Sequence, residues 1–356
     1  MSIFRPRYRL VLFILLAVFA VGEIVAQIVG LPNLPRDPAF TVAREWSYPD
    51  WIVKDPELLW RYRPNQFIDG RYGINNQGYR GSDFATDKAP GVTRVVCLGE
   101  SNTFGLGLSN NLIWPVKLQG RLSELDSLHR RWEVLNLAVT NYSSLQGLRL
   151  ARRELSRLRP DIVLYSFSWA DHQMAANGIP DDKLDPGSPT EIAIERVLNQ
   201  IGWVRWSRRL WASLFPPPPP GPNIPGFDKR RVPPTDFTDN IQKIARESIA
   251  CGARPILFTS PISWPPPGMT DTSGVFDVHH RYRRLARYGA VAGGAEFIEM
   301  ATAFDHHAEF YDDPRREIEL FNDRGHDFAA DFLARYILGD TAIVNHYGSA
   351  ALVGQE

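Results

Sequence analysis

The run Val95-Val96-Cys97-Leu98 stops abruptly at Gly99-Glu100-Ser101-Asn102-Thr103-Phe104-Gly105, and no other segment restricts the fold as strongly. β-Branched and apolar residues without polar alternation describe a strand buried on both faces, as in a parallel sheet. The Gly-Glu-Ser that ends it leaves the Ser101 hydroxyl at the carboxyl end of that strand, where open α/β sheets place their chemistry. The spacing downstream predicts strands alternating with helices: a helix over about 113–125, a strand over 133–137, a helix over 144–158 and a strand over 162–167. After a long insertion come a helix over about 234–250, a strand over 255–259, a helix near 281–288, a strand over 297–300 and a last helix over about 328–336. This alternation predicts a parallel sheet covered by helices.

A second chemical feature lies far downstream in Phe321-Asn322-Asp323-Arg324-Gly325-His326. Asp323 and His326 are three residues apart, so one turn can set the carboxylate behind the imidazole and leave the other ring nitrogen for Ser101. Ser101, His326 and Asp323 are therefore the candidate catalytic residues. Around the serine, Gly99-Glu100-Ser101-Asn102-Thr103 lacks the second glycine of a Gly-x-Ser-x-Gly elbow, which argues against an ordinary α/β-hydrolase.

These two segments, with Asn136-Leu137-Ala138-Val139-Thr140-Asn141-Tyr142-Ser143-Ser144 and Ser166-Phe167-Ser168-Trp169-Ala170-Asp171 between them, resemble the four ordered blocks of the SGNH/GDSL hydrolase superfamily. The resemblance covers about residues 90–340. It implies a flavodoxin-like three-layer α/β/α sandwich with a central parallel sheet. It also implies an acyl-serine mechanism with Ser101 as nucleophile, and an oxyanion bound by the backbone N–H groups of Ser101 and Asn141. Three positions depart from the family pattern. Glu100 replaces an aspartate beside the serine. Asn141 replaces a glycine, keeping the N–H and tolerating left-handed φ better than most residues. Ala170 replaces the asparagine whose amide is the third oxyanion donor; losing one such donor costs on the order of 100- to 1,000-fold in turnover. The Asn141 side chain is the candidate replacement for that amide, while a register that put Asp171 in the hole would repel the oxyanion.

The implied activity is that of a serine esterase acting on O-acyl or O-acetyl esters. An O-acyltransferase shares the same acyl-enzyme, a lipid esterase is a further reading, and a catalytically weakened binding or assembly protein is the alternative from another class. An acylated glycan or small ester is the expected substrate. Forty basic and forty acidic residues leave no net charge, which argues against a nucleic-acid partner.

At the N-terminus, Arg5, Arg7 and Arg9 precede an apolar stretch from Leu10 to Leu31 broken by Glu23. Its length suits one membrane span with the arginines on the cytoplasmic side, giving a single-pass protein with its domain on the periplasmic or extracellular face. Cleavage as a signal peptide after Val18-Phe19-Ala20 is the competing expectation, and no cysteine near the segment suggests lipid modification. The chain thus divides into an anchor (1–31), a polar and aromatic extension (32–90), the catalytic-type domain (91–340, with an insertion at about 172–233) and a tail (341–356). In the insertion, Trp203, Trp206, Leu210, Trp211 and Leu214 fall at helical spacing with Arg205, Arg208 and Arg209 between them. This stripe either packs on the core, lies in a membrane interface or forms a lid. Pro216 to Pro220 would end it as a stiff spacer. Cys97 and Cys251 read as small buried side chains, and the pairs His279-His280 and His306-His307 as surface or loop histidines. No metal and no cofactor are expected.

Overall fold

The computed structural model describes residues 6–29, 51–175, 178–198, 200–214, 229–263, 274–304, 307–312 and 318–343. The polyproline stretch, His306 and the tail beyond 343 lie outside them.

Five strands form one parallel sheet. They are β5 (Val92–Gly99), β6 (Arg131–Asn136), β7 (Ile162–Ser166), β8 (Arg254–Phe258) and β9 (Glu296–Ile298), and they lie in the order β6-β5-β7-β8-β9. β5 lies inside the sheet, paired on both sides, which accounts for its unbroken apolar run. Its side chains alternate between two cores. Val96 and Leu98 face a layer formed by α4 (Ser144–Leu158), α7 (Pro234–Ala250) and α8 (Val275–Gly293). Val95 and Cys97 face α3 (Trp114–Leu125) and α10 (Asp323–Leu338). The result is a three-layer α/β/α sandwich with flavodoxin-like strand order. Each fully buried aliphatic side chain here contributes about 1.5–3 kcal/mol relative to exposure.

The helix expectations hold closely at α4, where Ser143 and Gln146 form a capping box, and at α7. Two expectations fail at their boundaries. α8 begins at Val275, well before position 281, and His279 in it is fully buried, so it is not a surface histidine. α10 begins at Asp323, because Asn322 caps it by accepting from the N–H groups of Arg324 and Gly325. His326 therefore sits in the first turn of the helix and not in a loop ahead of it.

The extension is an integral part of this architecture. Its hairpins β1 (Ile52–Asp55) with β2 (Leu59–Tyr62), and β3 (Gln66–Ile68) with β4 (Tyr72–Ile74), carry Leu59, Tyr62, Ile68 and Ile74 into the first core. Arg94, at the start of β5, is buried and binds the carbonyls of Ala85, Thr86 and Leu158, tying the extension to the sheet.

α1 (Pro6–Val29) contains Leu10–Val29, long and apolar enough by length and composition to cross a membrane, and almost all of it is exposed. In the insertion lie α5 (Pro189–Leu198) and α6 (Gly202–Leu214). α6 packs on α1, and its tryptophans do not pack on the core as one reading of the stripe expects: Trp206 is 42% and Trp211 66% exposed. Cys97 is buried, Cys251 half-buried, and both thiols are free.

Candidate active site

Ser101 opens the four-residue helix α2 (Ser101–Phe104) immediately beyond β5. The turn is tight: a side chain on Gly99 would collide with Thr103. Ser101 is half-buried, and its Oγ accepts a hydrogen bond of 3.4 Å from the backbone N–H of Asn141. Asn141 has φ +61°, the left-handed geometry its residue type tolerates, and this conformation aims its N–H at the serine.

A buried ion pair that has no sequence signature holds Asn141 in place. Arg231 Nη1 donates to the Asn141 carbonyl at 3.0 Å and to its Oδ1 at 3.1 Å, while the same guanidinium grips Asp181 through Nε and Nη2 at 3.1 and 2.8 Å. Both charged side chains are essentially inaccessible to solvent. Arg231 and Asp181 both come from the insertion, fifty residues apart. Tyr62 braces the same loop through a 2.6 Å hydrogen bond with Thr140. Arg80 does the equivalent for the serine turn, donating to the carbonyls of Phe104, Gly105 and Leu108.

Glu100 points away from the reacting side. Its carboxylate accepts the backbone N–H groups of Ser168, Trp169 and Ala170 at 3.1, 2.9 and 2.7 Å, fixing the loop after β7. Burial, with the Asp171 carboxylate nearby, pushes Glu100 up to about 8 despite those amides. Asp171 is pushed up to about 7, chiefly by burial; it accepts the Ser144 N–H at 2.8 Å at the start of α4. The register that places a carboxylate in the oxyanion hole is therefore not adopted. Ala170 stands beside Asp171, fully buried and without a side-chain amide to offer.

The acid–base half is arranged differently from the sequence expectation. His326 is fully buried against Phe321, and its Nδ1 accepts the backbone N–H of Trp114, the first residue of α3, at 2.9 Å. That bond puts the ring proton on Nε2, and Nε2 has no hydrogen-bond partner among the described residues. Burial, with the positive charges of Lys117 and Arg80, lowers His326 to about 3. Asp323 does not stand behind the imidazole. Its carboxylate is half exposed and binds Lys117 Nζ at 2.5 Å, and Asp327 binds the same ammonium at 2.9 Å. The reason is the early start of α10: at the first helical position the Asp323 side chain turns outward, while His326 rotates inward to satisfy an otherwise unpaired amide of α3. Ser101, His326 and Asp323 are thus not joined by hydrogen bonds in this structure. The segment bonded to the serine turn is Glu319–Phe321: Asn102 donates to the Glu319 carbonyl and accepts the Phe321 N–H at 3.1 Å.

A second histidine arrangement lies at the same end of the sheet. His172 meets His279 at 3.1 Å, His279 Nε2 meets the Ser260 carbonyl at 3.1 Å, and the Trp169 ring packs edge-on against His172. With Nε2 donating to that carbonyl, His279 Nδ1 accepts from His172 Nε2–H. Burial keeps both rings neutral, His172 falling to about 3. Among the described residues no group of three His, Cys, Asp or Glu side chains could hold a metal ion.

No family model and no curated protein matches the sequence. Among solved structures, the chain is similar to an acetylxylan esterase, Axe2, from Geobacillus stearothermophilus (11% identity, TM-score 0.46, covering 69% of this chain and 94% of that one). It is also similar to TesA (13%, 0.43, 69% and 98%). LAE5, an α/β hydrolase enzyme from the metagenome of Lake Arreo, Spain, is a third (14%, 0.43, 71% and 97%).

Proposed function

We propose that the protein is an SGNH-type serine esterase, held to a membrane by α1, that cleaves O-acyl esters at Ser101. The observation that carries this reading is the half-exposed Ser101 hydroxyl at the carboxyl end of β5, facing the N–H of a left-handed Asn141 that a buried ion pair clamps. Ser101 Oγ attacks the ester carbonyl, its proton passes to a base and then to the departing alkoxide, and water releases the acyl group from the serine. The Asn141 N–H, with that of Ser101, receives the negative charge developing on the carbonyl oxygen. His326 is the base in this reading. To serve, it exchanges the Trp114 amide for a proton on Nδ1 and frees Nε2 for the serine, with Asp323 leaving Lys117 to support the imidazolium. An exported, anchored domain makes an O-acetylated envelope glycan the preferred substrate class, with a sugar hydroxyl replacing water if the enzyme is a transferase.

A second reading has its own observation. The Trp114 amide occupies His326 Nδ1 and Lys117 occupies Asp323, and a site held in that state binds an acylated ligand without turning it over. The test is fluorophosphonate labelling and p-nitrophenyl acetate hydrolysis by the detergent-solubilised full-length protein. Labelling and hydrolysis lost in both Ser101→Ala and His326→Ala support the esterase. A wild type that does neither, yet binds an acetylated oligosaccharide, establishes the binding role.

A further inference from the structure

Glu23 is a carboxylate two-thirds of the way along an apolar helix, where an uncompensated charge is expensive. The structure compensates it with the N-terminus of α6. Glu23 accepts the Gly202 N–H at 2.8 Å and the Trp203 N–H at 3.3 Å, two of the amides that a helix start leaves without intrahelical partners and that carry the positive end of its dipole. Gln27 reinforces the contact by donating to Glu23 at 2.7 Å and to the Gln200 carbonyl at 3.1 Å, and Trp203 Nε1 donates to the Phe19 carbonyl at 3.1 Å. The two helices approach where side chains are smallest: a Cβ on Gly22 would strike the Trp203 ring, and one on Gly202 would strike Ala26.

The depth of this junction follows from helix geometry. From Glu23 to Val29 is about 9 Å along the axis at 1.5 Å per residue, so with α1 spanning a core about 30 Å thick the start of α6 meets the bilayer about 9 Å inside one boundary. Interfacial helices bury their apolar faces about 5–10 Å deep. α6 has the composition for that position. Trp206, Leu210 and Leu214 recur at helical spacing and are 42%, 60% and 63% exposed, with Trp211 at 66% beside them, while Arg208 is paired with Glu195 of α5 at 3.2 Å. An exposed tryptophan and leucine stripe continuous with an exposed apolar helix has one solvent in common with it, the lipid.

We propose that α6 is an interfacial membrane helix whose tryptophan and leucine stripe lies in the headgroup and upper acyl region of the leaflet nearest Val29, locked to α1 by Glu23. The inference rests on α1 being a membrane span. The domain is then held against the bilayer by two contacts at an angle to one another, which fixes its orientation to the surface as a single flexible tether does not.

The test uses full-length protein in nanodiscs of phosphatidylcholine and phosphatidylglycerol, in a Cys251→Ser background. Single labelling sites are made by Leu210→Cys on α6 or Val18→Cys on α1, each carrying an environment-sensitive fluorophore, with lipids brominated at shallow or deep acyl carbons. The expected result is loss of emission at position 210 that is greater with shallow than with deep bromines, and the reverse order at position 18. Quenching at 18 without quenching at 210 overturns the proposal while leaving the anchor intact, and quenching at neither site removes the anchor reading itself. Glu23→Ala is expected to abolish quenching at 210 and leave it unchanged at 18. Persistence at 210 in that variant overturns the lock.

Discussion

Glu100 sets two physical effects against each other, and a pH-dependent stability measurement shows which wins. Three backbone amides favour its ionised form, while complete burial and the neighbouring Asp171 favour the protonated one, and the balance raises it from an ordinary 4.5 to about 8. A carboxyl raised on folding takes up a proton in the native state that the unfolded chain has already lost. Its contribution is intact below about pH 4.5, falls as the pH rises toward 8, and is flat above that. At about 1.4 kcal/mol for each tenfold change in proton affinity, the rise from 4.5 to about 8 amounts to about 5 kcal/mol in all, of which about 3 kcal/mol is lost between pH 5.5 and 8.5. Glu100→Gln keeps the shape and one acceptor oxygen, cannot ionise, and trades the bond from the Ala170 N–H for a clash of donors. Urea unfolding followed by fluorescence therefore shows the variant weaker than wild type at pH 5.5 by about 1–3 kcal/mol, with its relative stability rising by about 3 kcal/mol at pH 8.5. A wild-type-minus-variant difference that stays constant across this range refutes the reasoning, because it means that the three amides hold Glu100 ionised throughout.

The remaining predictions separate the clamp, the donor and the base. Arg231→Met leaves Asp181 buried without its partner and costs about 3–5 kcal/mol in unfolding free energy; adding Asp181→Leu restores most of it, since an apolar pair replaces a buried ion pair at little cost. Fluorophosphonate labelling of Ser101 in the double variant stays depressed, because Asn141 has lost the cation on its carbonyl and amide oxygens. Asn141→Ala forces an ordinary side chain to φ +61° and costs about 1–2 kcal/mol. Asn141→Gly avoids that strain and keeps the N–H, so full labelling in the glycine variant disproves a role for the Asn141 amide. His326, lowered from 6.5 to about 3, has the opposite sign to Glu100: its contribution is whole above pH 6.5 and is lost as the pH falls toward 3. NMR of the ring protons finds it neutral at pH 5, and a His326 that titrates near 6.5 contradicts its burial.

The sheet was legible because a strand buried on both faces has no polar alternation to misread, and α4 and α7 because capping residues and the 3.6-residue period coincide there. The left-handed backbone at Asn141 was likewise legible from its residue type. The start of α10 was not. Asn322-Asp323-Arg324-Gly325 contains as many turn-forming residues as helix-starting ones, and only the two amides captured by Asn322 decide between them. Arg231 carried no local signal at all, since its partners Asp181 and Asn141 lie fifty and ninety residues away. For α6 the period was readable but the solvent was not: an apolar stripe is the same pattern whether it meets a core or a lipid.

The two halves of the candidate site differ in how firmly they are built. The nucleophile half is held by buried groups: Arg231 and Asp181 behind Asn141, Arg80 under the serine turn, and Glu100 across the third loop. The acid–base half is committed elsewhere, with His326 capping α3 and Asp323 sharing Lys117 at the surface. Releasing it breaks one neutral hydrogen bond, worth about 0.5–1.5 kcal/mol, and a partly exposed ion pair worth about 0.2–1 kcal/mol. A further part of a kcal/mol goes to uncovering the Trp114 amide, for about 1–3 kcal/mol in total. That sum corresponds to about a 5- to 150-fold loss relative to a preassembled triad, on top of the missing amide at Ala170. Lys117→Met removes the surface competitor for Asp323, together with one of the positive charges that lower His326, and leaves Ser101 in place. If the esterase reading is right, the variant hydrolyses p-nitrophenyl acetate several-fold faster than wild type. Unchanged turnover in a folded variant that still labels at Ser101 shows that Asp323 plays no part in the chemistry.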